Sequence, residues 1–271
     1  MSVYQSRFEY ALCFGEQTST DTDADGDLVP KRRRTDKDFL IIDHALTTPL
    51  TDVGLQVWDG ALLMCDYVLS NRIMWKDAVV LELGAGTGLT SVILARSGAR
   101  CVLATDVNSR VLEVLGLNVH QNGVGLRSVR PLHLDWSQTD LEAGGQFGWS
   151  DENKELLHSV RYIIAADPIY DEQINESFFE TVEHLTSSHE TDVFISLERR
   201  VNFLVNTLSA SSPSHDSFCE WLQKLNSCGW STEQVPLEKI DQHFNCYHRT
   251  EQLQLWRLTR DGSVAMTTVQ L

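Results

Sequence analysis

The sequence predicts an α/β fold: a Rossmann-like parallel sheet with helices on both faces and an antiparallel last strand. The prediction rests first on residues 79–83, a short apolar run that is β-branched at its start and suits a buried parallel strand. This run leads into a glycine turn, after which apolar residues recur at helical spacing from Leu89. Apolar runs and helical patterns then alternate along the chain, and residues 230–235 and 252–258 predict a final strand pair.

Length and composition limit the classes of protein. The chain has 271 residues and a mass of 30.6 kDa, which predicts one large domain with a small extension. We place the extension at residues 1–50 and the main domain at residues 51–271. The net charge of −16, from 38 acidic and 22 basic residues, argues against direct nucleic-acid binding. The six cysteines form no C-x-x-C pattern and indicate reduced thiols in an intracellular protein.

Two features of the sequence argue against a membrane partner. No apolar run approaches the roughly 18 residues of a membrane helix. The N-terminus also lacks the apolar stretch of a signal peptide. We expect a monomer that works without a membrane.

The N-terminal extension has its own pattern. Residues 4–14 and 39–43 predict two strands that pair as a β-hairpin, and residues 16–36 between them have the composition of a mobile loop. The loop is acidic at first and ends in the basic run Lys31, Arg32, Arg33 and Arg34. Such a run fits a nuclear import signal, or alternatively a solvated cluster that neutralises the preceding acids. We therefore expect a nuclear location, a cytoplasmic one, or both.

The turn from Gly84 to Gly88 carries the main indication of function. Glycines without Cβ atoms let a ligand approach the main chain, and a glycine turn between a strand and a helix usually binds a nucleotide-like ligand. The third glycine comes one residue too early for the dinucleotide fingerprint, and no Gly-Lys-Ser/Thr of a P-loop follows. Glu82 adds a carboxylate, which repels phosphate and attracts a cation. These features favour S-adenosylmethionine (SAM) over a dinucleotide or a purely structural turn.

Further acids and aromatic residues come at or near strand ends. Asp106 follows a strand at residues 100–104 and lies 20 residues after Gly86, which suits hydrogen bonds from ribose hydroxyls; the alternative is a helix N-cap. Asp135 and Trp136 end the third strand and suit the adenine, or else are a loop acid and a packing Trp. Trp58 precedes a predicted helix and either covers the ligand or attaches the helix to the sheet. The apolar face of that helix is formed by Leu62, Leu63, Tyr67 and Leu69.

A fourth strand, residues 161–166, leads into Asp167, Pro168 and Tyr170. In an open parallel sheet, ligands bind beyond the carboxyl ends of the strands, at the point where strand order reverses. The first and fourth strands flank that point. We therefore expect Asp167 and Tyr170 to face the sulfonium, while Pro168 stiffens the turn.

The last part of the chain completes the predicted fold. A fifth strand at residues 192–197 precedes Glu198, Arg199 and Arg200, charges that either line the substrate entrance or are simply solvated. The tail after Asp261 is expected to fray. A metal site is suggested only superficially by His243, Cys246 and His248. No fourth ligand stands nearby, and we predict no metal there.

Taken in order, these motifs resemble those of the family-16 seven-β-strand protein lysine methyltransferases: Trp58, the turn from Glu82 to Gly88, Asp106, Asp135-Trp136 and Asp167-x-x-Tyr170. The resemblance covers about residues 54–260 and implies a seven-stranded class I SAM-dependent methyltransferase sheet. It implies a lysine-facing role for Asp167 and Tyr170. It also implies cofactor contacts at Trp58, Glu82, Gly84, Gly86, Asp106 and Asp135. To these we add the neighbouring residues Ala85, Thr87, Gly88, Val107, Trp136 and Ala166.

The acceptor is the least specific part of the prediction. Pro168 brings the motif partway to Asn-Pro-Pro-Tyr, which similar enzymes use on adenine N6 or glutamine amides. An ionised Asp only accepts hydrogen bonds and suits an amine with several N–H donors. We therefore favour lysine, and the resemblance implies a protein-lysine N-methyltransferase whose protein substrate is of a kind that the family modifies, such as a chaperone or a nucleic-acid-associated protein. The alternatives are transfer to another amino nitrogen (a glutamine amide, a nucleic-acid base or a small molecule) and a non-catalytic SAM-fold scaffold.

Overall fold

The centre of the fold is a seven-stranded sheet, here described from a computed structural model. The structure describes residues 2–13, 35–138, 141, 145–170, 172–187, 190–204 and 209–260. The strands are β1 (Tyr4–Cys13), β2 (Thr35–His44), β3 (Val79–Leu83), β4 (Cys101–Asp106), β5 (Val129–His133), β6 (Val160–Ala166), β7 (Asp192–Glu198), β8 (Asn202–Leu204), β9 (Ser209–Ser211), β10 (Trp230–Gln234) and β11 (Leu253–Arg260).

Helices cover both faces of this sheet. They are α1 (Asp59–Ser70), α2 (Arg72–Trp75), α3 (Leu89–Arg96), α4 (Ser109–Gln121), α5 (Asp151–Leu157), α6 (Glu172–Leu185) and α7 (Pro213–Ser227). Short 3₁₀ segments lie at Leu50–Leu55, Gly145–Phe147 and Leu237–Lys239. None of these helices is both long enough and apolar enough to cross a membrane, within the residues described.

The sheet order is β10-β11-β7-β6-β3-β4-β5. Strands β3 to β7 are parallel, and β11 runs antiparallel to both β7 and β10. The chain moves outward from β3 through β4 to β5, then returns to place β6 on the other side of β3. The predicted strand order reversal therefore lies between β3 and β6, which is where open α/β sheets bind ligands.

Strand residues alternate between two hydrophobic clusters, one on each face of the sheet. Val80, Val102 and Ile164 pack with α1, α3 and α4. Their neighbours Leu81 and Leu103 pack with α6 and α7 on the opposite face. Because both faces are covered, β3 is buried at all five positions, which explains why every residue except Glu82 is apolar and the sequence does not alternate.

The N-terminal hairpin is present as predicted, with β1 and β2 paired along their whole length. It packs on α4, where Asn122 Oδ1 accepts a hydrogen bond from Ile41 N at 2.9 Å and Asn118 Oδ1 accepts one from Asp43 N at 2.8 Å. These two asparagines give the edge of β2 the partners that another strand would supply. The boundary at residue 50 stays a prediction, and the loop and basic run lie outside the described residues.

The first helix starts directly after Trp58, as the sequence predicts. A 3₁₀ turn at Leu50–Leu55, which the sequence does not predict, precedes α1, and α1 itself begins at Asp59. Trp58 takes the N-cap position with extended backbone angles and gives no side-chain cap. Asp167 supplies the missing acceptor instead, because its Oδ2 accepts a hydrogen bond from Gly60 N at 2.9 Å.

The short elements α2, β8 and β9 were not predicted. The predicted last strand pair is confirmed, with β11 lying between β7 and β10 and β10 at the edge of the sheet. The tail after Asp261 lies outside the described residues.

Candidate active site

A cavity of about 570 Å³ opens above the carboxyl ends of β3, β4, β5 and β6. This volume is within the range of small-molecule sites, roughly 300–1,000 Å³. Thirteen of the fourteen sequence-predicted residues line it: Trp58, Glu82, Gly84, Ala85, Gly86, Thr87, Asp106, Val107, Asp135, Trp136, Ala166, Asp167 and Tyr170. Gly88 is not part of the lining, and its predicted ligand contact has no direct support from this geometry.

The glycine turn follows β3 with left-handed backbone angles. Gly84 has φ +69° and Gly86 has φ +54°, a region that side chains make costly. A Cβ at Gly86 would lie 2.9 Å from the Gly54 carbonyl oxygen, so the turn and the 3₁₀ segment meet only because a side chain is missing. Gly88 serves packing, since a Cβ there would lie 2.8 Å from Leu115 Cγ.

Glu82 lies at the floor of the cavity and is buried. Burial raises the pKa of its carboxyl group to about 8, although hydrogen bonds from the hydroxyls of Ser91 and Thr90 oppose the rise. At neutral pH the group is therefore largely protonated in the free protein. A cation bound beside it would favour the charged form and lower this pKa again.

Asp106 joins the glycine turn to the end of β4. Its Oδ2 accepts a hydrogen bond from Gly86 N at 3.2 Å and its Oδ1 accepts one from Asn108 N at 3.0 Å. The alternative that Asp106 caps α4 is wrong, because Asn108 is the N-cap and accepts from Arg110 N. Burial raises the pKa of Asp106, and the backbone N–H donors of Asn108, Gly86 and Val107 oppose that rise.

Asp135 and Trp136 fulfil parts of both interpretations made from the sequence. The Asp135 carboxylate accepts hydrogen bonds from the backbone and hydroxyl of Ser137, at 2.9 and 2.7 Å, while still lining the cavity. The Trp136 ring packs edge-on against Phe178. The same ring lies against the glycine turn, where a Cβ at Gly84 would come within 3.4 Å of it. Trp136 is thus both a packing residue and a cavity wall.

Asp167 is the most constrained residue of the site. It has φ +53°, one of two non-glycine residues with a left-handed backbone among those described. Its carboxylate is buried and accepts Gly60 N and Glu198 N, each at 2.9 Å. Burial raises the pKa of Asp167 despite these donors and the nearby Arg200 guanidinium. Strained backbone held by several partners is common at functional sites, where geometry must be fixed before the ligand arrives.

Two aromatic side chains, Trp58 and Tyr170, line the same cavity as Asp167. Trp58 Nε1 donates to Val53 O at 3.3 Å, which staples the ring to the 3₁₀ segment, and the ring also lines the cavity. Arg200 stacks on that ring. Tyr170 lines the cavity and also a smaller one of about 180 Å³ beside it.

Three groups of lining residues were missed or left open by the sequence. The 3₁₀ segment supplies one wall through Thr51, Val53 and Gly54, and α6 adds Ile174 and Ser177. No local motif marks either group, because they reach the cavity through tertiary packing. Arg200 does line the cavity, so the interpretation that placed it at a substrate entrance, rather than in solvent, agrees with the geometry.

The described residues contain no cluster of three His, Cys, Asp or Glu side chains able to hold a metal ion. His243 is used structurally: its Nδ1 lies 2.6 Å from Ala11 O and its Nε2 lies 3.2 Å from Ser70 Oγ. These contacts join β1 and α1 to the segment before β11.

Comparison with known proteins confirms the resemblance. The model of the lysine methyltransferase family, family 16, matches residues 34–224. Human methyltransferase-like protein 22 is 34% identical over 233 residues, covering 82% of this chain and 57% of that protein. Zebrafish (Danio rerio) protein N-lysine methyltransferase METTL21A is 34% identical over 152 residues, covering 55% of this chain and 62% of its own length.

The fold is also that of solved methyltransferases. Magnesium protoporphyrin IX methyltransferase from Synechocystis has a TM-score of 0.50 and 14% identity, covering 79% of this chain and 89% of its own. This chain belongs to the family-16 lysine methyltransferases. It spans less than two thirds of the length of the two relatives named above.

Proposed function

We propose that this chain transfers a methyl group from SAM to a lysine ε-amine of a protein substrate, leaving S-adenosylhomocysteine (SAH). The observation that carries the proposal is the meeting of two groups in one cavity. The acidic glycine turn after β3 and the Asp167–Tyr170 pair after β6 both line it. Neither group alone specifies methyl transfer to an amine, whereas a donor site and an amine-binding site facing the same space do.

The lining fits SAM by the chemistry of its polar groups. Glu82, Asp106, Asp135 and Asp167 all offer carboxyl oxygens, which suit an α-amino group, ribose hydroxyls and the adenine amine. Arg200 is the one cationic side chain among the described lining residues, so nothing in that lining favours a phosphate. Glu82 and the glycine turn would hold the amino-acid part, Asp106 the ribose, and Asp135 with Trp136 the adenine.

When bound, SAM supplies a methyl carbon that the amine lone pair attacks as the C–S bond breaks, with sulfur leaving as a neutral thioether and one amine proton passing to water. The protein's task is to present a neutral amine. Burial lowers the pKa of a lysine, whereas the Asp167 carboxylate raises it. Asp167 therefore holds and aims the amine, and each of its oxygens keeps a lone pair beyond the backbone bond it already accepts. Tyr170 supplies an aromatic wall.

Radiolabelled SAM incubated with a cell extract and the purified protein tests the proposal. We expect label on lysine of a protein band, identified by mass spectrometry, with a chaperone or a nucleic-acid-associated protein as candidate substrates. D167A should lose transfer by about 100-fold, because misplacement of the acceptor by about 1 Å has that effect. SAH binding by D167A, measured by calorimetry, controls for the cofactor site. Label on nucleic acid, or no protein label with the parent, would reject lysine transfer.

Nuclear import through Lys31, Arg32, Arg33 and Arg34 is a separate part of the proposal, supported by sequence alone. A fluorescent fusion in which these four residues are alanine should lose nuclear enrichment relative to the parent fusion. Unchanged nuclear enrichment would remove the proposed signal and leave the enzymatic proposal intact.

A further inference from the structure

Two adjoining cavities meet at the cationic side chain of Arg200. The smaller cavity, about 180 Å³, lies beyond the carboxyl ends of β6 and β7 and is lined by Glu198 and residues 212–215, among others. Tyr170 and Arg200 line both cavities.

The Arg200 guanidinium occupies a slot with an aromatic side and an acidic side. Its Cζ lies 4.6 Å from the centroid of the Trp58 ring. Its Nη2 lies 4.0 Å from Asp167 Oδ1. The side chain of Arg200 is 38% exposed and that of Asp167 is 4% exposed, so the acid is fixed and the cation is at the open end.

Both contacts of Arg200 are of a kind that a competing cation can replace. A separation of 4.0 Å is too long for a hydrogen bond. Partly exposed ion pairs and exposed cation–π contacts are weak. The carboxylate of Glu198 lines the smaller cavity and would remain a partner for the guanidinium after it moves.

Arginine and lysine side chains can be compared directly, because they have the same length from Cα to arginine Cζ and to lysine Nζ. In arginine Cζ is separated from Cα by five bonds, as Nζ is in lysine. A lysine in the same conformation would thus place its amine above the Trp58 ring, where Cζ now lies. Aromatic faces and carboxylates are the groups that attract an alkylammonium ion.

We propose that the Arg200 guanidinium occupies the position where the acceptor amine binds, and that the substrate lysine displaces it from the slot between Trp58 and Asp167. This inference rests on the proposed function and adds the location of the acceptor and its competitor. Arg200 moves toward Glu198 as the lysine enters. The chain thereby keeps its acidic slot filled by its own cation until a substrate arrives.

Binding of n-butylamine, a minimal lysine side chain, tests the slot without any methyl transfer. Ligand-observed NMR titrations compare the parent, R200A and the matched control R199A, since Arg199 is exposed and lines neither cavity. We expect about tenfold tighter binding to R200A, because two weak competing contacts are gone. R199A should bind like the parent. Equal or weaker binding to R200A than to the parent would overturn the proposal.

A second experiment asks whether the slot faces the donor. R200K, incubated with SAM at about pH 9 so that part of the amine is neutral, should methylate itself, and intact mass followed by peptide mapping should find one methyl group or more at position 200. R199K should stay unmodified at position 199. Absence of methylation at position 200 would overturn the inference. SAH binding and labelling of an extract by the parent test the proposed function separately, so its failure would be seen there.

Discussion

Burial has a larger effect on the pKa of an acid in the cavity than its hydrogen-bond partners have, and Glu82 is the clearest case. Its carboxyl group has an ordinary pKa of 4.5, which burial raises to about 8 in this site. The folded protein therefore binds a proton that the unfolded chain releases between those two values. By linkage, Glu82 contributes stability below pH 4.5, and this contribution is lost as the pH rises to about 8.

We expect E82Q to isolate this effect, since glutamine cannot ionise. The difference in unfolding free energy between E82Q and the parent should grow in favour of E82Q from pH 4.5 to about 8, by on the order of 4 kcal/mol. Urea unfolding at several pH values measures it. A difference that is constant across this range would mean that Glu82 keeps its ordinary pKa.

Asp167 shows which roles of a residue a local sequence motif predicts and which it does not. The sequence predicts that it faces the ligand, and it does line the cavity. The sequence does not reveal that its carboxylate also holds the first turn of α1, because Gly60 lies 107 residues away. One side chain therefore combines a structural contact with a place in the site, and its substitution is expected to affect both.

The first turn of α1, which contains Gly60, gives a prediction at the scale of an element. Alanine is usually the better helix former, by about 1 kcal/mol over glycine. Here a Cβ would clash with Asp167 Oδ2 and would displace the carboxylate from the Gly60 N–H. We expect G60A to destabilise the protein by about 1–3 kcal/mol, the cost of an unsatisfied buried group.

Chemical denaturation measures the effect of G60A, and G116A is a matched control within α4. A Cβ at Gly116 meets only Pro131 Cγ, at 4.0 Å. G116A should therefore be neutral or stabilising. If G60A stabilised the protein as much as G116A, the link between α1 and Asp167 would be of little consequence.

The hairpin shows which parts of an element the sequence specifies. An alternating aromatic pattern in residues 4–14 and a short apolar run in residues 39–43 predict the two strands. The docking of β2 on α4 depends on Asn118 and Asn122, and isolated asparagines on a helix carry no signal for it. Asn118 Nδ2 also donates to Thr87 O at 2.8 Å, so the hairpin is joined to the glycine turn.

Across the whole molecule, one buried acid joins α1 to the segment before β11. Asp66 is fully buried and accepts His243 N at 2.8 Å, Phe244 N at 3.0 Å, Tyr247 OH at 2.5 Å and Arg249 Nη2 at 2.7 Å. The same segment contacts β1 through an isolated bridge between Tyr10 and Phe244. Asp66 thus stabilises a junction among the sheet, the first helix and the hairpin.

We expect D66N to lower the unfolding free energy by about 3–5 kcal/mol, because the Arg249 guanidinium would stay largely buried without its counter-charge. D192N is the control, since it removes the partly exposed ion pair of Asp192 with Arg257 and should cost at most about 1 kcal/mol. Thermal and urea unfolding of both variants measure this contrast. Similar losses for the two variants would contradict the central role of Asp66.

The parts of the fold that the sequence predicts depend on residues close together in the chain, whereas the parts that it does not predict depend on contacts between distant segments. Glycine turns, strand-end acids and the aromatic residues near them are local in sequence, and they identified the strand order reversal and thirteen of the residues that line the cavity. The wall formed by Thr51 and Val53, the Asp66 junction and the Arg200 slot depend on contacts between distant segments. Those contacts follow from packing, which a single sequence without its tertiary partners does not display.

The central claim is that the glycine turn after β3 binds the donor, and calorimetry with SAH tests it most directly. We expect saturable one-to-one binding by the parent and a large loss in G86A, where a Cβ meets Gly54 O at 2.9 Å. G123A is the control, because Gly123 also has a left-handed backbone but a Cβ there would meet no atom within 4 Å, and this variant should bind like the parent. Absence of saturable binding of both SAH and SAM by the parent would contradict the account.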